Sequence, residues 1–335
     1  MQLTALACGP GGQHVVRGLV DLLTTSQASS ATSPAGAEGS ATPVVTDHPD
    51  PPVELTVIGC TSEDITLCGL RFCPDLDAVA ALVGPSFDGG GAGDDRESHA
   101  VYERLRRLDA APEWYPLDDA TFAAAIARSR WLGAGLTLTE VCARMTGPGP
   151  VRLVPMSDSP IEAHVVLEGE GERRGVHALE WAARRERSEA PVGVTAAGLG
   201  SAHPAPGVLD AVRSADAVIV PLTMPVTGLG VMLGLPGLRD ALRGTTAPVI
   251  GVSPALLPPR GGEEETLTTL NLDYTSRDMA RLFEDILDGY LVPEDEPADL
   301  DLGRSDITLA GCTSDPRAIA DDAISLAGRL AGGRR

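Results

Sequence analysis

The sequence predicts an α/β fold, a doubly wound and mainly parallel sheet with a helical insert covering the active-site edge. Two observations carry this. Short β-branched or apolar runs alternate with segments of helical periodicity, and the runs end in glycine-rich or acidic clusters, as strands do where a parallel sheet meets its ligands. Composition agrees: 335 residues with 43% hydrophobic but only 3% aromatic content can bury a large core of Ala, Val and Leu.

Residues 3–7 form the first expected strand, residues 9–12 a glycine-rich turn and residues 15–23 a helix with one apolar face. Residues 26–52, rich in Ser, Ala, Thr and Pro, have no periodicity and are expected to be a flexible insertion. Thr56, Val57 and Ile58 have the character of a buried strand, followed by an acidic segment, a helix at 77–83 and a glycine-acid loop at 88–95. Residues 97–146 are expected to be a helical insert, with helices at 97–108, 121–132 and 137–145, the first exposing Arg104, Arg106 and Arg107. Strand character resumes at 151–155, 163–167 and 176–181. A helix at 206–213, a strand at 217–220, a helix at 235–242 and a strand at 248–252 restore the βαβ rhythm. A helix at 277–287, an acidic loop at 294–301, a strand at 307–309 and a helix at 316–330 close a single Rossmann-like domain over residues 1–335.

Charge and residue usage exclude several function classes. The formal net charge is -21, from 47 acidic against 26 basic residues, so nucleic-acid backbones and anionic membranes are repelled and no nucleic-acid partner is expected. The chain has no lysine, which removes Schiff-base, pyridoxal phosphate and Walker-type chemistry. The cysteines show no CxxC spacing and the histidines no zinc-ligand interval, so neither a zinc site nor a disulfide framework is expected. No apolar segment reaches the ~18 residues of a membrane span, and residues 1–12 do not read as a signal peptide, so no membrane association and a cytoplasmic location are expected.

Glu63 and Asp64 end the strand at 56–58, and Asp75 and Asp77 follow, gathering carboxylates at one sheet edge. Such a pair most readily holds a divalent cation, and magnesium needs only one or two carboxylates besides waters and phosphates; helix or turn capping is the plainer alternative. Gly9, Gly11 and Gly12 lie between strand and helix, where backbone N–H groups can approach a phosphate, although such turns are also purely structural. Thr223, Gly228 and Gly230 follow the strand at 217–220 in the same way, with a proline-bounded crossover as the alternative. Ser157 and Asp158 offer a hydroxyl and a carboxylate at another strand end, where capping is the favoured reading.

In order and wording these clusters resemble the 2-phospho-L-lactate transferase family of coenzyme F-420 biosynthesis. Cys8-Gly9-Pro10-Gly11-Gly12-Gln13-His14 resembles the family's opening Gly-Gly-Thr-Gly-Gly-Pro-Lys, and Cys60-Thr61-Ser62-Glu63-Asp64-Ile65 its Asn-Thr-Ala-Asp-Asp-Ile. Pro74-Asp75-Leu76-Asp77 and Met156-Ser157-Asp158 match as well. The chain departs from the family at His14, where the family has lysine, at Cys60 and Met224, where it has the amide of asparagine, and at Ala125, on a helix that usually carries His and Arg.

The resemblance implies transfer of a phospholactyl or phosphoenolpyruvyl group from a guanosine diphosphate-type donor to the hydroxyl of the deazaflavin Fo, releasing GMP. It further implies magnesium on Asp64 assisted by Glu63, and nucleotide phosphates on the glycine loops at Gly11, Gly12 and Gly230, with Gly9, Thr61, Ser157, Asp158, Thr223 and Gly228 as further binding positions. Asp75 and Asp77 would orient these groups or metal waters, and Arg128 with Asp119 would meet the deazaflavin or the transferred carboxylate, so that Asp64, Asp77 and Arg128 form the catalytic set. Family members tend to be homodimers. The competing expectations are a guanine-nucleotide or deazaflavin binder without turnover, and a regulatory sugar-nucleotide binder.

Overall fold

The computed structural model describes residues 1–31, 53–84, 98–169, 172–184, 189–296 and 300–333. The chain opens with β1 (Gln2–Ala7), α1 (Gly9–Ala31) and β2 (Glu54–Gly59), followed by a hairpin of β3 (Ile65–Leu67) and β4 (Leu70–Phe72). Four helices come next: α2 (Pro74–Val83), α3 (Ala100–Arg107), α4 (Asp119–Gly133) and α5 (Leu138–Thr146). After β5 (Val151–Pro155), the strands β6 (Glu162–Gly169), β7 (Glu172–His177) and β8 (Pro191–Ala197) enclose the short α6 (Ala178–Ala183). The remainder alternates again: α7 (Val208–Ser214), β9 (Ala217–Pro221), α8 (Leu229–Leu233), α9 (Leu238–Gly244), β10 (Val249–Val252), α10 (Glu263–Leu267), α11 (Ser276–Leu282), β11 (Gly289–Pro293), β12 (Thr308–Cys312) and α12 (Pro316–Gly333).

Seven strands form one parallel sheet in the order β12-β11-β10-β9-β1-β2-β5. Because side chains alternate across a strand, its two faces build two cores. Leu3, Ala5 and Ala7 pack with Val15 and Leu19 of α1 and Ile319 and Ala323 of α12. Leu6, Ile58 and Val220 pack instead with Val208 of α7, Leu242 of α9 and Phe283 just after α11. This is the doubly wound arrangement expected. A separate antiparallel sheet, β7-β6-β8, lies beside it.

Several local expectations are corrected. The helix begins at Gly9, so the anticipated glycine turn is the first turn of α1 itself. Residues 176–181 are not one strand: β7 stops at His177, whose Nδ1 accepts from the Leu179 backbone N–H and caps α6. The hairpin β3–β4 and the strands β8 and β11 were not anticipated. α1 runs on to Ala31, while the rest of the expected insertion and the loop at 88–95 lie outside the described residues. No described helix is long and apolar enough to cross a membrane.

The insert has its own small core, in which Phe72 of β4 meets Leu117, Phe122 and Ala125. Phe72 sits edge-on to Phe122 at 5.6 Å. The hairpin is therefore the platform that seats α3 and α4 beside the carboxyl ends of the strands.

The contact between α1 and α12 depends on Gly18, where a Cβ would collide with the Pro316 carbonyl oxygen. Gly18→Ala is expected to cost ~1–3 kcal/mol by overpacking, whereas Gly133→Ala, with nothing within 4 Å of the new methyl group, should be neutral or stabilising by up to ~1 kcal/mol. Urea unfolding of the two variants checks the contrast; equal midpoints would contradict this packing.

Candidate active site

The strand order reverses between β1 and β9: the chain leaves β1 through α1 toward β2 and β5 on one side, while β9, β10, β11 and β12 lie on the other. A crevice opens outside the carboxyl ends at such a switch point. The strands end in register there, since Cys60 N–H donates to the Ala7 carbonyl at 2.8 Å, Met156 N–H to Gly59 at 2.8 Å and Leu222 N–H to Val252 at 3.0 Å. The loops after β1, β2, β5, β9 and β10 thus share one edge.

Thr223 ties two of these loops together, its hydroxyl donating to the Cys8 carbonyl at 3.1 Å. The glycines serve close packing here. A Cβ at Gly11 would collide with Thr223, one at Gly12 would lie 2.8 Å from Ala7 Cα, and one at Gly230 would collide with the Pro225 carbonyl. Gly9 has φ +58° and faces the sulfur of Met224, which itself stands at φ +48° and also covers Gly228.

Residues Thr61 to Asp64 are all buried, Glu63 at 3% and Asp64 at 1% exposure. Although adjacent, the two carboxylates enter different clusters. Glu63 pairs with Arg260 of the segment after β10 and feels Asp75 and Glu263. Asp64 pairs with Arg71 of β4 at 3.4 Å and feels Cys73, Arg128 and Asp77. Asp77 thus shares the electrostatic surroundings of Asp64, while Asp75 shares those of Glu63.

Burial dominates the electrostatics. Desolvation pushes the Glu63 carboxyl up to about 7 against the opposing pull of Arg260, and Asp64 up to about 7 against that of Arg71. Asp75 and Asp77 are raised by the same cause, opposed respectively by Arg260 and Arg128. Thr61 Oγ1, Asp64 Oδ1, Asp75 Oδ2 and Asp77 Oδ2 are buried with no hydrogen-bond partner. Unpaired buried oxygens of this kind are costly and ask for a ligand, an ion or water.

The other expected site residues are placed as follows. Arg128 is fully buried on α4, pairs with Asp77 and donates to the Arg71 carbonyl at 3.0 Å; it supports the carboxylates and does not reach the crevice. Asp119 accepts the Val101 N–H at 3.0 Å at the start of α3. Asp158 accepts the N–H and hydroxyl of Thr139 at 2.7 and 2.9 Å at the start of α5, as capping predicts. Ser157 is buried and donates to the His203 carbonyl at 2.7 Å. Sequence reasoning missed Arg71, Arg260, Trp114 and Tyr115. The Trp114 and Tyr115 rings stack at 5.3 Å; burial, then the charges of Asp77, Glu63 and Asp75, push the Tyr115 hydroxyl pKa up, against the opposing pull of Arg260. In a chain so poor in aromatics, two adjacent ones in an insert were a usable signal.

A second opening, of about 590 Å³, lies at the opposite edge against Thr4, Arg152, Gly207 and Asp210. It holds none of the unpartnered buried oxygens found among the described residues, so the carboxyl edge is the stronger candidate site.

Comparison with known proteins places this geometry in context. The family described as 2-phospho-L-lactate transferase CofD matches residues 3–307. A phosphoenolpyruvate transferase of Thermobifida fusca is 38% identical over 339 residues, spanning 98% of both chains. One from Streptomyces avermitilis is 37% identical over 302 residues, spanning 87% of this chain and 85% of that protein. Among solved structures, a Bacillus halodurans protein of the UPF0052 family shares the fold with a TM-score of 0.54 at 13% identity, covering 97% of this chain and 100% of that one.

Raised carboxyl pKa values fix a sign. Glu63 and Asp64 retain protons to about pH 7 in the folded chain but only to about pH 4 when unfolded. The folded state thus binds more protons in that window, and their contribution to stability is lost as pH rises through it. Asp64→Asn should therefore gain melting temperature relative to the parent as pH goes from about 5 to 8, in the absence of divalent cations. A difference between the two proteins that is flat or falls with pH, by scanning calorimetry, would refute the burial argument.

Proposed function

The chain belongs to the 2-phospho-L-lactate transferase family of coenzyme F-420 biosynthesis, and from that premise we propose that it transfers a phosphoenolpyruvyl group from a guanosine diphosphate-type donor to the hydroxyl of the deazaflavin Fo. The Fo oxygen attacks the phosphorus that bears the enolpyruvyl ester; a new P–O bond forms, the P–O–P bridge breaks, GMP leaves and the hydroxyl proton is lost to base or water. The observation that carries this reading is the cluster of unpartnered carboxylate oxygens at the switch point, beside a stacked aromatic pair, in a chain that matches the family over residues 3–307. The enolpyruvyl donor is preferred to the lactyl one because the similar curated relatives are named phosphoenolpyruvate transferases.

Magnesium suits the donor set. Among the described residues no group of three His, Cys, Asp or Glu side chains forms a cage, which disfavours zinc or calcium but agrees with an ion that takes one or two carboxylates and completes its shell with water and phosphate. Asp64 and Asp77 would hold it, and when bound it would supply charge neutralisation for the diphosphate. Arg71 holds Asp64 and Arg128 holds Asp77 in place, and both pairs leave one carboxylate oxygen free. Trp114 and Tyr115 would present a flat face to the deazaflavin ring, setting its hydroxyl against the donor.

A second reading, nucleotide or deazaflavin binding without turnover, is favoured by Met224 covering Gly9 and Gly228. Mass spectrometry of a reaction containing Fo, magnesium and guanylated phosphoenolpyruvate or phospholactate separates the two. The transferase reading expects GMP and modified deazaflavin in equal amounts, abolished by EDTA; ligand-induced thermal stabilisation with no product would instead establish the binder.

Two substitutions sharpen the assignment. Asp77→Asn should remove turnover while the protein remains folded, and Trp114→Ala should raise KM for Fo by about tenfold, in line with ~1–3 kcal/mol for stacking of a flat ring, with little change for the nucleotide. A Trp114→Ala enzyme with unaltered KM for Fo would exclude that ring as the acceptor platform.

A further inference from the structure

The segment between β10 and α10 carries Arg260 into the switch-point crevice, where its side chain is 12% exposed. One Nη group is ion-paired with Glu63. The other, Nη1, donates to Met224 Sδ at 3.3 Å, beside Gly9. A thioether sulfur is a weak acceptor, so half of a guanidinium fork is nearly unsatisfied at the junction of the two glycine loops. The nearby arginines are already committed: Arg128 is fully buried on Asp77, and Arg71 bridges Asp64 and Glu162. With no lysine in the chain, an anion entering this crevice meets Arg260.

We propose that Arg260 binds the distal phosphate of a nucleoside diphosphate, exchanging the Met224 sulfur for a phosphate oxygen while Glu63 keeps hold of the other edge of the guanidinium. This rests on the transferase reading and adds to it the residue that distinguishes diphosphate from monophosphate. Tyr115, stacked on Trp114, feels the charge of Arg260 as well as that of Asp77, so in this proposal the phosphate held by Arg260 is the one on the acceptor side, the one transferred. Glu63, Asp75 and Glu263 all face the guanidinium. An arginine fork matches a phosphate edge in a way an ammonium does not.

Isothermal titration of the full chain with GDP and with GMP, each in magnesium, tests this. The parent protein should bind GDP more tightly than GMP. Arg260→Gln should weaken GDP by about 10- to 100-fold, the range for a lost hydrogen bond to a charged group, and leave GMP within about threefold. Arg260→Lys, which keeps the charge without the fork, should fall between and carries the test alone if the glutamine variant does not fold. Equal GDP affinity in the parent and the folded variants overturns the role of Arg260 and leaves the transferase reading standing. A parent chain that binds neither nucleotide overturns both.

Discussion

Carboxylates buried at the carboxyl edge of a parallel sheet govern the rest of this molecule. Glu63, Asp64 and Asp75 are each at most 5% exposed, and Asp77 joins them from the first turn of α2. Taking such groups out of water is expensive unless opposite charge is brought to them. The elements around the sheet deliver that charge. The β3–β4 hairpin supplies Arg71, α4 supplies Arg128, and the segment after β10 supplies Arg260. The compensation is incomplete, since carboxylate oxygens remain unpartnered and the pKa of each acid is raised. A site that is short of positive charge when empty is one whose ligand restores it, and strain of this kind collects where function does.

The use of arginine alone shapes how that charge is arranged. A guanidinium presents several donors in a plane, so one side chain can engage two partners at once. Arg71 spans Asp64 and Glu162, and Arg128 spans Asp77 and the Arg71 carbonyl. The second link joins α4 to β4 through a charged side chain that has no access to solvent. Cutting it would leave Asp77 largely buried, at 14% exposure, and unpaired, which is worse than never having had the pair. Arg128 thus acts through Asp77 and through the seating of the insert, a positioning role that its sequence neighbours did not disclose.

The sheet was legible because its strands are short β-branched runs with a glycine or an acid at the end, and helical periodicity between them is clear. The residues beyond the strands were legible only as candidates. Asp158 and Asp119 are a helix cap and a backbone clamp, the outcome that short acidic side chains near helix starts commonly reach. Glu63 and Asp64 read as a pair because they are adjacent, yet they stand in the turn that precedes β3, and each found its own arginine. The hairpin was missed because its turn is Cys68-Gly69, with φ +53° and +74°, and cysteine is no signal for a left-handed position. Arg260 was invisible for a different reason: Pro-Pro-Arg-Gly-Gly reads only as a loop, and no local pattern says that the loop bends over another strand's end.

Met224 shows how a departure from a family pattern acquires a physical meaning. The position stands at φ +48°, a conformation that asparagine tolerates and methionine rarely adopts. Its carbonyl accepts from Gly228 at 3.0 Å and Leu229 at 2.8 Å, so the backbone shape is fixed by the loop rather than by the side chain. A methionine there must place its flexible thioether somewhere, and it lies over Gly9 and against Arg260. Where an amide would offer a fixed donor to an anion, the sulfur offers an occupant that a phosphate can push aside, because methionine has three rotatable bonds and makes no strong hydrogen bond. The loss of the amide then need not remove the anion site. On the proposal made for Arg260, the donor role passes to the neighbouring guanidinium, on a loop whose backbone holds φ +48° at Met224.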